Sequence, residues 1–103
     1  MNPVEISVTC ASVDEADAIL GRLLEARLVA CGQMWPIKSR YRWNDEVHAD
    51  VEVLLQLKSF DEKFEDVART VMELHSYEMP AVTMMPVHGA SPGYVEWLAD
   101  AIA

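Results

Sequence analysis

Apolar and polar positions alternate at the start of the chain, with Val4, Ile6, Val8 and Cys10 on one side and Glu5, Ser7 and Thr9 on the other. That period of two predicts a half-buried strand from about Val4 to Cys10. Ser12-Val13-Asp14-Glu15 then has the form of a helix capping box, and Ala16, Ile19, Leu20, Leu23, Leu24 and Leu28 recur at steps of three and four. A helix follows, Gly21 notwithstanding.

From Cys31 to Trp43 the chain carries Trp35, Ile37, Tyr41 and Trp43, then turn-forming Asn44-Asp45. Beyond the turn, Val47, Ala49, Val51, Val53, Leu55 and Leu57 form an alternating apolar face. Two long strands joined as a hairpin result. Ser59 with Glu62 makes a second candidate capping box, and Phe60, Phe64, Val67, Ala68, Val71, Met72 and His75 share one helical face, so a second helix ends near His75. Pro80 marks a boundary and Ala81 to Val87 reads as a short strand. Ser91 as N-cap with Pro92 at the first helical position opens a last helix carrying Tyr94, Val95, Trp97, Leu98 and Ile102.

Two βαβ units joined by a hairpin close most simply into an antiparallel sheet of order 4-1-3-2 with two helices on one face. The fold class is therefore α+β, a ferredoxin-like βαββαβ arrangement with a long β2-β3 hairpin and an extra C-terminal helix. A strand of about thirteen residues at roughly 3.3 Å each spans on the order of 40 Å, well beyond the usual length. The opposite sheet face is left uncovered. A protruding aromatic hairpin and an open face call for other subunits, so the chain is expected to form a homo-oligomer in which Trp35, Tyr41 and Trp43 lie at the interface. Glu52 lies on the side of its strand away from the odd-numbered apolar residues, and is assigned to a pairing across that interface.

The chain has 103 residues, which fits one domain spanning 1–103 and is too short for two. Its formal charge of −9 supplies no basic stripe, which disfavours nucleic acid and anionic lipid as partners. No run of about 18 apolar residues exists, and the first five residues lack the pattern of a signal peptide, so a cytoplasmic location is expected. In that reducing compartment Cys10 and Cys31 are expected as free thiols.

Copper and zinc take thiolate and imidazole ligands, which singles out Cys10, Cys31, His48, His75 and His88. None are spaced as a local chelate. The topology, however, sends the end of strand one and the end of helix two to the same end of the sheet, making Cys10 and His75 neighbours, with Glu78 as a further candidate ligand. Cys31 starts strand two at the opposite end, too far for a disulfide to Cys10. The competing structural roles are a small core residue for Cys10 and a helix-end cap for His75. The helix N-terminus beside Cys10 would favour its thiolate. His48 and His88 read as surface residues, Asp14, Glu15 and Asp17 as first-turn partners of the helix dipole and not as ligands, and the six Met as core filler.

Val8-Thr9-Cys10 with Asp14-Glu15-Ala16, Arg27-Leu28-x-Ala30-Cys31, Pro36-x-x-Ser39-x-Tyr41-x-Trp43, Glu52 ahead of Leu55-x-x-Lys58, Leu74-His75-x-Tyr77-Glu78-x-Pro80 and Tyr94-x-x-Trp97-Leu98 follow one another in a fixed order. In order and spacing they resemble the CutA family, the divalent-cation tolerance proteins. The resemblance implies a ferredoxin-like fold, a homotrimer, a cytosolic location, an association with copper and other divalent metals, and no established catalytic activity. It also implies Cys10 and His75 as the copper-binding pair. No cofactor is required, and copper or another divalent cation is the expected ligand. Two other classes compete: a trimeric small-molecule sensor or regulatory scaffold like the PII signalling proteins, and a thiol enzyme in which Cys10, His75 and a carboxylate form a nucleophilic set. The short turn at Asn44-Asp45 counts against the sensor. The lack of an oxyanion hole counts against the enzyme.

Overall fold

A computed structural model describes all 103 residues. Strand β1 (Pro3–Cys10) is followed by helix α1 (Val13–Glu25), strands β2 (Cys31–Trp43) and β3 (Glu46–Phe60), helix α2 (Phe64–Leu74), strand β4 (Val82–Pro86) and helix α3 (Tyr94–Ile102). The sheet is antiparallel throughout, in the order β2-β3-β1-β4, which is the expected ferredoxin-like topology read from the other edge. Val4, Ile6, Val8 and Cys10 of β1 are buried with Val53, Leu55 and Leu57 of β3 against Ala16, Ile19 and Leu23 of α1 and Val67 and Val71 of α2. The period-two and period-3.6 patterns thus meet in one core.

The hairpin is longer than the sheet that carries it. Pairing of β1 with β3 stops at Cys10 and Val53, whereas β2 and β3 stay paired out to Trp43 and Glu46. From Ile37 and Glu52 to the tip the protein is therefore a two-stranded ribbon of roughly 20 Å. The expected apolar face of β3 runs the length of the strand but is not buried throughout. Val47 and Val51 are 60% and 72% exposed, because neither helices nor β1 reach that far, and burial on that face begins only at Val53. Asn44 and Asp45 both have positive φ, 51° and 62°, the geometry of a two-residue hairpin turn.

Four local expectations are also revised. Helix α1 stops at Glu25: Arg27 takes a left-handed conformation, and the amides of Arg27 and Leu28 donate to the carbonyls of Leu24 and Leu23, a Schellman closure made without glycine. Ser59 does not cap a helix. It lies fully buried in β3 and its hydroxyl donates to the carbonyl of Leu28 at 2.6 Å, while a 3-10 turn at Asp61–Lys63 leads into α2. Helix α3 starts two residues later than expected, with Gly93 at φ 86° as its N-cap in place of Ser91. The methionines are not core filler: Met1, Met72, Met79, Met84 and Met85 are exposed, and only Met34 packs against the core.

The sheet face opposite α1 and α2 is only partly open. Phe60, Leu98 and Ile102 form a second small core, so α3 closes one end of that face. The remainder carries polar pairs, among them Gln56 donating to Glu5 at 2.8 Å.

Candidate functional site

Cys10 closes β1 where the chain turns into α1, and its side chain has no exposed surface. Ser12 is the N-cap, its hydroxyl accepting from the Glu15 amide at 3.1 Å. Within the first turn the Glu15 carboxylate folds back to accept from the Ala11 amide, and its second oxygen accepts from the Ser76 amide, both at 2.9 Å. One carboxylate thus ties the start of α1 to the segment that leaves α2. His75 is the C-cap of α2, its amide donating to the Val71 carbonyl, and its ring is enclosed.

The hydrogen bonds of that ring fix its single proton. Nε2 lies 2.8 Å from the Thr9 carbonyl, which only accepts, so Nε2 carries the hydrogen. Nδ1 accepts from the Tyr77 amide at 3.1 Å. Nε2 also lies 3.6 Å from the Glu15 carboxylate. A Cys10 sulfur, a Glu15 oxygen and a His75 nitrogen come within 4.8 Å of one another. The topology does bring Cys10 and His75 together, and it adds Glu15.

Glu15 is the residue that sequence reasoning missed as a donor. Its first-turn position explains its charge so fully that nothing pointed to a second contact, and only the arrival of the Ser76 segment shows it. Glu78 is not in the cluster. It lines a neighbouring cleft of about 690 Å³, bounded by Ser39, Tyr41 and Trp43 of the ribbon and by Tyr77 and Met79 beyond α2. Cys31 lies beside Lys58 of β3 whereas Cys10 lies beside Val53, so the two thiols are apart and unbridged. His48 stacks on Tyr41 in the ribbon and His88 is exposed after β4, both away from the cluster.

Burial, reinforced by the charges of Glu15 and Glu52, pushes the Cys10 thiol up to about 11. The helix N-terminus therefore does not favour its thiolate here, contrary to expectation, because desolvation and two carboxylates outweigh it. Burial also acts to raise Glu15, yet the amide bonds from Ala11 and Ser76 hold it below its ordinary value. Glu52 is 5% exposed and accepts from the Tyr77 hydroxyl at 2.6 Å. That hydrogen bond lies within the chain and uses one of the two Glu52 oxygens. Burial, followed by that hydrogen bond, raises the Tyr77 phenol. Trp35, Tyr41 and Trp43 are 41%, 40% and 37% exposed, with Tyr41 donating to Asp50 across the ribbon.

Comparison with known proteins finds the same fold elsewhere. The family described as CutA1 divalent ion tolerance protein matches residues 4–101. A divalent-cation tolerance protein CutA of Archaeoglobus fulgidus is 33% identical over 97 residues, covering 94% of this chain and 95% of that one. A solved structure from the same organism, described as a periplasmic divalent cation tolerance protein CutA, superposes with a TM-score of 0.96 at 32% identity, over 98% of this chain and 99% of that one. The divalent cation tolerance protein of Thermus thermophilus superposes with a TM-score of 0.90 at 33% identity, over 93% and 94% of the two chains.

Proposed function

The chain belongs to the CutA1 divalent ion tolerance protein family, and from that premise we propose a non-catalytic homotrimer that binds copper or another divalent cation through Cys10, His75 and Glu15. The observation that carries this reading is the meeting of a sulfur, a nitrogen and an oxygen donor within 4.8 Å. A thiolate, an imidazole and a carboxylate together suit copper or zinc better than magnesium or calcium, which prefer oxygen alone. Glu15 takes the place expected of Glu78.

The site is a weak one. A cation has to displace the proton of a thiol held at about 11, and it competes with hydrogen bonds already made by both ring nitrogens and both Glu15 oxygens. The same bonds argue against catalysis. Cys10 is buried, and His75 has no free lone pair to take its proton, since Nε2 carries hydrogen and Nδ1 already accepts one.

Assembly is supported by the ribbon, since an isolated two-stranded hairpin is marginal in water and this one exposes Trp43, Val47 and Val51. Three is the subunit number implied by the family resemblance. No helix is long and apolar enough to cross a membrane. A cytoplasmic location is the one implied by the family resemblance. A second reading, small-molecule sensing by a trimeric scaffold, draws on the cleft beside Tyr41, Trp43 and Tyr77.

Native mass spectrometry of the reduced protein with added Cu(I) tests the proposal. Three chains carrying up to one ion each is the expected species. A monomer, or a trimer that takes up no metal, would contradict it.

A further inference from the structure

Two successive amides just beyond α2 are held by two of the three donor residues: Ser76 donates to Glu15 and Tyr77 donates to His75. A carboxylate that coordinates a cation through one oxygen still accepts a hydrogen bond on the other. An imidazole has no such freedom. Nε2 lies 3.6 Å from Glu15, nearer the cluster than a nitrogen committed only to Tyr77, and it now gives the ring's hydrogen to the Thr9 carbonyl, a bond that coordination would break. When Nε2 gives its lone pair to a cation, a neutral ring must hold its proton on Nδ1, so that proton leaves Nε2 and is replaced through solvent exchange on Nδ1. Nδ1 thereby turns from acceptor to donor, facing the Tyr77 amide, itself a donor. Two N–H groups cannot share that 3.1 Å contact.

The segment at Tyr77 therefore has to move, and its side chain is anchored elsewhere. The Tyr77 hydroxyl donates to Glu52 at 2.6 Å, on the sheet face away from α1 and α2 and in the wall of the cleft. Tyr77 also packs its ring 4.7 Å from the His75 ring, so displacement of one is felt by the other.

We propose that a cation bound by Cys10, Glu15 and His75 is reported at the cleft by Tyr77, which loses its amide bond to His75 and its hydroxyl bond to Glu52 together. This rests on the metal reading above and adds a regulated element to it. The metal-free protein holds Tyr77 clamped at both ends, and the clamp is part of what the cation must work against. Release of Tyr77 changes the wall of a cleft shared with Tyr41 and Trp43, on the face that the proposed assembly covers.

The test uses the full-length reduced protein and Zn²⁺ alone, whose lack of unpaired electrons permits NMR. Nitrogen-15 spectra should show the His75 proton on Nε2 without zinc and on Nδ1 with it, and exchange of the Tyr77 amide should accelerate about tenfold or more once its acceptor is lost. Tyr77→Phe keeps the ring and frees the hydroxyl end of the clamp, so it should bind zinc about tenfold to a hundredfold more tightly, the worth of one hydrogen bond to a charged acceptor. Zinc bound with the proton still on Nε2 and an unchanged Tyr77 amide would overturn the coupling and leave the metal site standing. A tautomer change with no gain of affinity in Tyr77→Phe would overturn the link to Glu52. Failure of the parent protein to bind zinc would overturn the metal site and the coupling together.

Discussion

The Ser59 hydroxyl donates to the Leu28 carbonyl at 2.6 Å across 31 positions of sequence, joining the buried end of β3 to the turn that closes α1. That turn has no glycine to relieve it, and Arg27 stands at φ 56°, so the carbonyl's fixed position depends on a partner from elsewhere in the fold. Ser59→Ala removes that partner inside the core. We expect a loss of about 1–2 kcal/mol in urea unfolding, the cost of a buried polar group left unpaired. Unchanged stability would show that water or a shifted backbone replaces the hydroxyl.

The Glu15 carboxylate, held below its ordinary value of 4.5, links stability to pH in metal-free protein. Its charged form is preferred by the folded state, where the Ala11 and Ser76 amides donate to it against the opposing effect of burial. The unfolded chain takes up the proton first as pH falls. The contribution is therefore complete above about pH 4.5 and is lost as pH drops through the folded value. Glu15→Gln, measured with chelator present, should cost about 1–2 kcal/mol at neutral pH and lose less stability than the parent on acidification below that point. Parallel stability curves for the two proteins would exclude Glu15 as a source of the acid dependence.

How much of this was legible in the sequence depends on the distance over which each residue acts. Val4 to Cys10 and the helical faces of α1 and α2 announced themselves because periodicity is local and their burial is complete. The same period placed Val47 and Val51 on the strand but did not show their exposure, because the apolar alternation runs on past the end of the supporting sheet. Ser59 and Glu62 imitate a capping box, but tertiary burial claims Ser59 first. The meeting of Cys10 with His75 followed from topology alone. Glu15 and the Tyr77 bond to Glu52 did not, because each depends on the path taken between α2 and β4, which no repeating pattern encodes.

Trp43 sits at the mouth of the hairpin turn, 37% exposed and beyond the reach of either core cluster. A large aromatic placed there contributes chiefly to contact with another subunit. Sedimentation equilibrium of the parent should give three times the 11.6 kDa chain mass. Trp43→Ala should weaken the assembly by about tenfold or more in dissociation constant while leaving the far-ultraviolet circular dichroism of the chain in place. A trimer of unchanged stability would remove the ribbon tip from the interface.

The metal site is tested most directly by competition titration of Cu(I) against a chromogenic chelator, using reduced parent protein and four variants. One ion per chain is expected, with modest affinity that falls on acidification as protons compete for sulfur and imidazole. Cys10→Ser and His75→Ala should each lose about tenfold or more, while His48→Ala and His88→Ala should bind as the parent does. Equal binding by all four variants, or no binding by the parent, would contradict a site built from Cys10, Glu15 and His75.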